Sequence, residues 1–199
     1  ELTDQLNGKY RFTANLSSML GVLPSYTGLG MAALLPHKQL SYDDKGTVQV
    51  DGKSSSGIAN RQKILDSVKG VAVKADDFMA MKKDEGRDFI KPYQVVYIYH
   101  NQIDQTADTG NEEKTFDAVR TTIDEIGNLV TKIINNLNGN YIAITADHGF
   151  LFQETAPSET DKNAIADKPA GTVISKKRYL IGRDLPDNEK AYHGSTAIT

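Results

Sequence analysis

An apolar strand, a long amphipathic helix and a second apolar strand follow one another in this chain, and they constrain its fold most. Residues 95–99 are β-branched and aromatic, as in buried strands, and apolar side chains then recur every three or four residues from 116 to 137. Residues 141–146 are the second apolar run. This order predicts a right-handed βαβ crossover in a parallel sheet. The helical spacing is also compatible with a coiled coil, but the flanking strands favour a helix that covers a sheet.

The rest of the chain gives a coarser pattern. In chain order it predicts a helix over 1–6 ended by Gly8, a strand over 10–16, a short helix that begins near Thr27 and stops at Pro36, an exposed hairpin over 41–50, a helix over 58–68 and further strands within 173–181. Strand and helix signals compete over 71–90. Thr109 and Glu112 suit a capping box for the long helix, and Asn138-Gly139 suits its end. The fold class is therefore α/β, a mostly parallel sheet flanked by helices.

Length and composition exclude several classes of protein. The 199 residues suit one domain, and a net charge of -3 argues against a strongly basic nucleic-acid groove. The absence of cysteine excludes disulfides and thiolate metal sites, which fits a reducing cytoplasm, and no apolar run approaches the ~20 residues of a membrane helix. We therefore expect a cytoplasmic protein. The chain starts at Glu1 as if inside a helix and stops at Thr199 as if inside a strand, so we expect both ends to be cut.

Potential metal ligands follow both of the clearest predicted strands. They are His100, Asp104 and Asp108 after the first strand and Asp147 and His148 after the second. Ligands of doubly wound sheets lie at the carboxyl ends of the strands, and carboxylate with imidazole suits Zn, Mn or Mg. Each group also has a structural interpretation, because an Asp at a strand end often caps a turn. Asp108 fits the polar turn before the long helix, and His100 fits a hydrogen-bonded strand-end residue better than a ligand.

Thr27 is the candidate nucleophile. At the start of a helix it would lie beside free backbone N–H groups, which favour an anion such as phosphate. A threonine hydroxyl is a poor nucleophile at neutral pH unless a cation or a base activates it. The alternative interpretation is that Thr27 is simply the N-cap of the helix.

Three motifs resemble those of the PglZ proteins of bacterial BREX phage-defence systems, which belong to the alkaline phosphatase superfamily. Residues 24–36 read PSYTGLGMAALLP and resemble the nucleophile segment of that family. Residues 97–104 read YIYHNQID and resemble its central metal-binding strand, and residues 144–150 read ITADHGF and resemble its Asp-His-Gly motif. The motifs occur in the family's order. The resemblance implies an incomplete alkaline-phosphatase-like domain over residues 1–199, with a hairpin insertion near 40–52.

By this resemblance, Thr27 is the nucleophile and a ligand of one divalent cation, Asp147 and His148 complete much of that cation's shell, and Asp104 binds a second. Asp108 stands where related phosphatases usually place a His, which implies either that the second ion is absent or that it is a harder ion such as Mg. A first metal-binding Asp and a last His in a His-Gly-Gly segment are missing, and His193 is the nearest candidate for the latter. The fragment is therefore expected to bind metal weakly and to be inactive alone.

The resemblance implies a hydrolase of phosphate esters, sulfate esters or phosphodiesters in a phage-resistance protein. Its partners would be other BREX proteins, including a DNA methyltransferase. The alternative is a non-catalytic scaffold of the defence complex with a vestigial metal site. A mutase acting on phosphorylated metabolites is a third interpretation, by analogy with the superfamily alone.

Overall fold

The computed structural model describes residues 1–107, 112–149, 158–161 and 168–195. The chain forms two compact units, one of residues 1–19 and 65–144 and the other of residues 20–64 and 145–199. The helices and strands are, in chain order, α1 (Leu2–Gly8), α2 (Thr27–Ala33), β1 (Leu40–Tyr42), β2 (Val48–Val50), β3 (Lys53–Ser54), α3 (Ile58–Leu65), β4 (Gly70–Lys74), α4 (Ala75–Ala80), α5 (Lys83–Ile90), β5 (Val95–Tyr99), α6 (Gln102–Ala107), α7 (Glu112–Thr131), β6 (Thr172–Ser175) and β7 (Leu180–Gly182).

The first unit contains a parallel pair of strands. β4 pairs with β5 in a register that runs from Gly70 opposite Val95 to Lys74 opposite Tyr99. Helices α4 and α5 connect the two strands, so the crossover lies before β5. Side chains of β4, α4 and the segment after α7 form the core of this unit, around Val73, Phe78 and Leu137. These elements are those of an α/β domain, and the parallel sheet described here has two strands.

The predicted long helix is confirmed. Helix α7 continues as a π-helical turn over Lys132–Asn136 and ends before Asn138, which has a φ of 60°. The Gly139 N–H donates to the Ile133 carbonyl at 2.9 Å, so the predicted Asn138-Gly139 end is also confirmed. Thr109 of the predicted capping box lies outside the described residues. Helix α1 is confirmed as well.

The second unit combines two antiparallel sheets with α2. The predicted hairpin is confirmed, since Leu40 of β1 pairs with Val50 of β2, and β3 extends the sheet. Its prediction as exposed is wrong in part, because Leu40, Val48 and Val50 are buried and α2 packs against β2. Strands β6 and β7 confirm the strands predicted within 173–181, and α3 confirms the helix predicted at 58.

Residues 10–16 do not form the predicted strand. Arg11 adopts a left-handed conformation with a φ of 58°, which interrupts an extended backbone. Asn7 then holds the chain, because its side chain accepts from the Ala14 N–H at 2.8 Å and donates to the Ala14 carbonyl at 2.9 Å. These side-chain bonds replace the ladder that a strand would need.

Residues 141–146 are not a strand either, so the predicted crossover through α7 into a second strand is wrong. Within the described parts of the chain they pair with no strand, and Tyr141 is 87% exposed. A run of apolar and β-branched side chains favours a strand, but a strand forms only where a neighbouring strand supplies the hydrogen bonds. No helix in the described part of the chain is long and apolar enough to cross a membrane.

Candidate functional site

The second unit brings Thr27 and His148 together. Thr27 Oγ1 lies 3.1 Å from His148 Nε2, although the two residues are 121 positions apart in the chain. Thr27 is exposed to solvent, whereas 27% of the His148 side chain is accessible. The hydroxyl is therefore held by the imidazole and remains open to a small molecule.

Backbone geometry fixes the tautomer of His148. Its Nδ1 lies 2.8 Å from the Gly149 carbonyl oxygen. Because a carbonyl oxygen only accepts, Nδ1 must carry a hydrogen, and in the neutral imidazole Nε2 then presents a lone pair. Thr27 donates its hydroxyl hydrogen to that lone pair. Nε2 is thus the ring nitrogen that could bind a cation or accept a proton.

The Asp147 carboxylate shares this location. Its Oδ2 lies 3.4 Å from His148 Nε2, and 17% of the side chain is exposed. The carboxylate, the imidazole lone pair and the Thr27 oxygen are all electron-pair donors, and such a group is stabilised by a proton or a cation among them. Four-coordinate zinc with bonds of roughly 2.0–2.1 Å places its ligand atoms about 3.4 Å apart. The donor chemistry and the two spacings to Nε2 are therefore compatible with a divalent cation.

A close backbone approach fixes Asp147 against α2. A side chain on Gly30 would overlap the carbonyl oxygen and carbonyl carbon of Asp147. Gly30 is buried in α2, three residues after Thr27. Glycine at this position therefore allows the backbone of Asp147 to lie directly on the helix that carries the hydroxyl.

Thr27 is the first residue of α2, and the N-cap position belongs to Tyr26, which is extended at φ -157° and ψ 157°. The interpretation of Thr27 as merely the N-cap is therefore wrong. The Tyr26 hydroxyl lies 3.2 Å from that of Tyr42, and its ring stacks on Tyr179 with centroids 4.9 Å apart. Burial, followed by the hydrogen bond to Tyr42, raises the pKa of Tyr26 well above its usual range, so Tyr26 stays protonated and supports the start of the helix.

A cleft of about 310 Å³ lies beside Thr27 in the same unit. Its lining includes the start of α2, the turn before β2 and the start of α3. The lining residues are Tyr26, Thr27, Gly28, Gly46, Thr47, Val48, Ser55, Ser56, Gly57 and Arg61. The sequence alone gave no individual role to Arg61, Gly30, Tyr26, Tyr42 or Tyr179, because each resembles an ordinary surface or core residue.

The other predicted ligands lie elsewhere in the chain. His100 Nε2 lies 2.8 Å from Glu125 Oε2 of α7, and Asp104 is exposed in the first turn of α6. Both belong to the first unit. His193 Nε2 lies 3.4 Å from Asp187 Oδ1. Asp108 lies outside the described residues, and within the described ranges no three Asp, Glu or His side chains form a metal-binding group.

Comparison with known proteins identifies close relatives. The family model for the BREX system PglZ alkaline phosphatase-like domain matches residues 1–199. The alkaline phosphatase-like protein BrxZ of Escherichia coli O9:H4 (strain HS) is 52% identical over 202 residues, which cover 100% of this chain. The alkaline phosphatase-like protein PglZ of Bacillus cereus (strain H3081.97) is 36% identical over 187 residues, which cover 92% of this chain.

The matches cover a small part of those relatives. The aligned region is 23% of the length of the Escherichia coli protein and 22% of the length of the Bacillus cereus protein. No solved structure matches the chain significantly.

Proposed function

This chain belongs to the PglZ family of BREX alkaline phosphatase-like domains, and from that premise we propose that it supplies the nucleophile and cation ligands of a metal-dependent hydrolase. The substrates would be phosphate esters, sulfate esters or phosphodiesters. The observation that carries the proposal is the 3.1 Å contact between Thr27 Oγ1 and His148 Nε2, with the Asp147 carboxylate 3.4 Å from the same nitrogen.

Three side chains have distinct roles in this proposal. Thr27 Oγ1 loses its hydroxyl proton to solvent and attacks the phosphorus or sulfur atom, while the bond to the leaving ester oxygen breaks and that oxygen takes up a proton from solvent. Water later hydrolyses the Thr ester, which restores the Thr27 hydroxyl. His148, oriented through Nδ1 by the Gly149 carbonyl, presents Nε2 toward the hydroxyl. Thr27, Asp147 and His148 would hold a Zn, Mn or Mg ion, which when bound lowers the pKa of the hydroxyl and neutralises charge on the transferred group.

Some finer assignments rest on the family resemblance alone. Asp104, with Asp108, is proposed to bind a second cation. The parent protein is proposed to act in the cytoplasm with other BREX proteins, including a DNA methyltransferase. The alternative remains a scaffold of the defence complex whose metal site is vestigial.

Replacing Thr27 in the full-length protein tests the nucleophile. Thr27→Ala removes the attacking oxygen, so hydrolysis of an aryl phosphodiester should fall on the order of 10³-fold or more, while Thr27→Ser retains a hydroxyl and measurable activity. Thr121→Ala is the matched control, because the Thr121 hydroxyl donates within its own helix α7, to the Asp117 carbonyl. A Thr27→Ala protein as active as the wild type would reject the assignment.

Metal titration separates the hydrolase from the scaffold. Calorimetry of the full-length protein with Zn²⁺ or Mn²⁺ should show binding at micromolar concentrations, and His148→Ala should weaken it. Absence of binding to the wild type, together with absence of turnover, would favour the scaffold.

A further inference from the structure

The N-cap residue of α2 is a tyrosine, which is not among the residues that usually cap helices. Those residues place a side-chain oxygen on the N–H groups of the first turn. Within α2, which is described in full, Tyr26 makes no such bond, and its extended backbone leads directly into Thr27. The contacts that hold the Tyr26 side chain therefore also help to fix where α2 begins.

Two tyrosines from other elements hold that side chain. The Tyr26 hydroxyl donates to the hydroxyl of Tyr42 in β1 at 3.2 Å. The Tyr26 ring stacks on the ring of Tyr179, which directly precedes β7, with centroids 4.9 Å apart and planes 20° from parallel. All three side chains are half-buried and belong to the second unit. Tyr26 is thus held at its hydroxyl by one sheet and at its ring by the other.

The first turn of α2 has room for the Tyr26 ring. A Cβ atom on Gly28 would lie 2.8 Å from Cε2 of that ring, so glycine allows the ring to lie against the turn. The Tyr26 carbonyl accepts the Gly30 N–H at 3.0 Å, which is the first hydrogen bond of the helix. The ring and the backbone of Tyr26 therefore both contact α2 within one turn of Thr27.

The two supporting tyrosines lie outside the cleft beside Thr27. The described lining of that cleft includes Tyr26 and Thr27 but neither Tyr42 nor Tyr179. A substrate group in the cleft would therefore meet Tyr26 and not its two supports. Tyr42 and Tyr179 would act on such a group through Tyr26, so their loss should affect turnover more than binding.

We propose that Tyr42 and Tyr179 are positioning residues, which act through Tyr26 to fix the start of α2 and the direction of the Thr27 hydroxyl. The effect on catalysis rests on the proposed function of Thr27, whereas the structural link does not. A displacement of about 1 Å between reacting groups can lower a rate on the order of 10²-fold, so a small tilt of α2 is enough to slow the attack. Both tyrosines lie outside the three motifs that carry the family resemblance.

Hydrogen exchange of the full-length protein tests the link apart from turnover. Tyr179→Leu removes the stacked ring, so amide exchange over residues 27–35 should speed about fivefold at pH 7, whereas Tyr179→Phe keeps the ring and should stay within about twofold of the wild type. Exchange over α3, in the same unit, should change less than about twofold. Unchanged exchange over residues 27–35 in Tyr179→Leu, or equal acceleration in α3, would overturn the link.

Steady-state kinetics with an aryl phosphodiester test the positioning role. Tyr179→Leu should lower kcat about tenfold and change KM less than about twofold, and Tyr179→Phe should retain most of kcat. Tyr93→Leu is the matched control, because Tyr93 packs against the Phe89 ring in the first unit with centroids 6.0 Å apart, and kcat should change less than about twofold. A rise in KM at unchanged kcat in Tyr179→Leu would overturn the role.

A double-mutant cycle tests the hydroxyl contact and remains decisive if Tyr179→Leu is misfolded by circular dichroism. Tyr26→Phe and Tyr42→Phe each remove one partner of the same hydrogen bond, so each should lower kcat about threefold. The double variant should lose no more than either single variant, because no further bond is removed. Losses that multiply in the double variant would show that the two hydroxyls act independently, which would overturn the role of Tyr42.

The two readouts separate failure of this inference from failure of the proposed function. Faster exchange over residues 27–35 in Tyr179→Leu, in a protein whose turnover is unaffected by Thr27→Ala, would support the link and reject the proposed function. Thr27-dependent turnover with unchanged kcat in both Tyr179→Leu and Tyr42→Phe would overturn the positioning role and leave the proposed function intact.

Discussion

Two segments of this chain share a sequence pattern, and the fold places different side chains beside them. Each places a histidine and an aspartate after an apolar run, His100 and Asp104 after β5 and Asp147 and His148 after residues 141–146. His100 contacts the carboxylate of Glu125 on the neighbouring helix α7, and Asp104 is exposed. His148 contacts the hydroxyl of a residue 121 positions away. A histidine that follows an apolar run thus acquires its chemistry from what the fold places opposite it.

The partner of each histidine determines what it can do. A carboxylate opposite His100 gives a hydrogen bond, or an ion pair when the imidazole is protonated, and Glu125 is 45% exposed. Such pairs on a surface stabilise a protein by roughly 0–1 kcal/mol. Near His148, the Thr27 hydroxyl and the Asp147 carboxylate instead form with the imidazole a set of electron-pair donors that a cation can bind.

Exchanging each histidine for alanine in the full-length protein gives the largest expected contrast. His148→Ala should lower kcat for an aryl phosphodiester on the order of 10²-fold to 10³-fold, because Nε2, which lies 3.1 Å from Thr27 Oγ1, can no longer hold the proposed cation beside that hydroxyl. His100→Ala should change kcat less than about threefold. Steady-state kinetics measure both, and equal losses in the two variants would show that the two segments serve one catalytic function.

Gly30 allows a milder test of the same site. Gly30→Ala places a methyl group against the Asp147 carbonyl, so the backbone of Asp147 must move away from α2 and activity should fall roughly ten- to a hundredfold. Gly8→Ala is the matched control, since Gly8 is also helical and, among the described residues outside its own helical turn, no atom lies within 4 Å of the added carbon. Full activity in Gly30→Ala would mean that the close approach of Asp147 is unimportant to the chemistry.

The sequence was sufficient to predict the elements that depend on residues close together in the chain. Helix α7 follows from apolar periodicity, the start of α2 from the residues around Thr27, and the hairpin from its acidic turn and flanking apolar alternation. Residues 10–16 alternate in polarity and residues 141–146 form an apolar run, and neither segment forms a strand. A strand forms only beside a partner strand, and the side-chain pattern of one segment carries no information about that partner.

The residues of the candidate site were likewise predictable only in part. Spacing identified Asp147 and His148 as ligand types, but a contact across 121 positions is set by the packing of α2, and only the family resemblance linked Thr27 to them. Arg61 was missed because an arginine in a short helix usually lies on a solvated face. Its bond to the Ser55 carbonyl and its place in the cleft emerge only in three dimensions.

Replacement of Asp51 has the smallest predicted effect, because this carboxylate binds backbone N–H groups of the hairpin. Its oxygens accept the N–H groups of Gln39 at 2.9 Å and Lys38 at 3.0 and 3.2 Å, which ties the end of β2 to the chain before β1. The backbone hydrogen bond from Gln39, and then that from Lys38, lower the pKa of Asp51 below its ordinary value. A lowered folded pKa means that the stabilisation is complete above the unfolded pKa of about 3.9 and is lost as pH falls through the folded value.

Asp51→Asn should therefore speed amide exchange over residues 38–50 modestly at pH 7, with little change in kcat. The difference from the wild type should shrink as pH falls below about 4 and disappear once the wild-type carboxyl is protonated, because both side chains are then neutral. Hydrogen exchange followed by mass spectrometry, expressed as the ratio of variant to wild-type rates at each pH, measures this. A ratio that stays constant from pH 7 to pH 2 would show that the charge of Asp51 does not stabilise the hairpin. A large loss of kcat at pH 7 would instead place Asp51 with Asp147 among the carboxylates on which the chemistry depends.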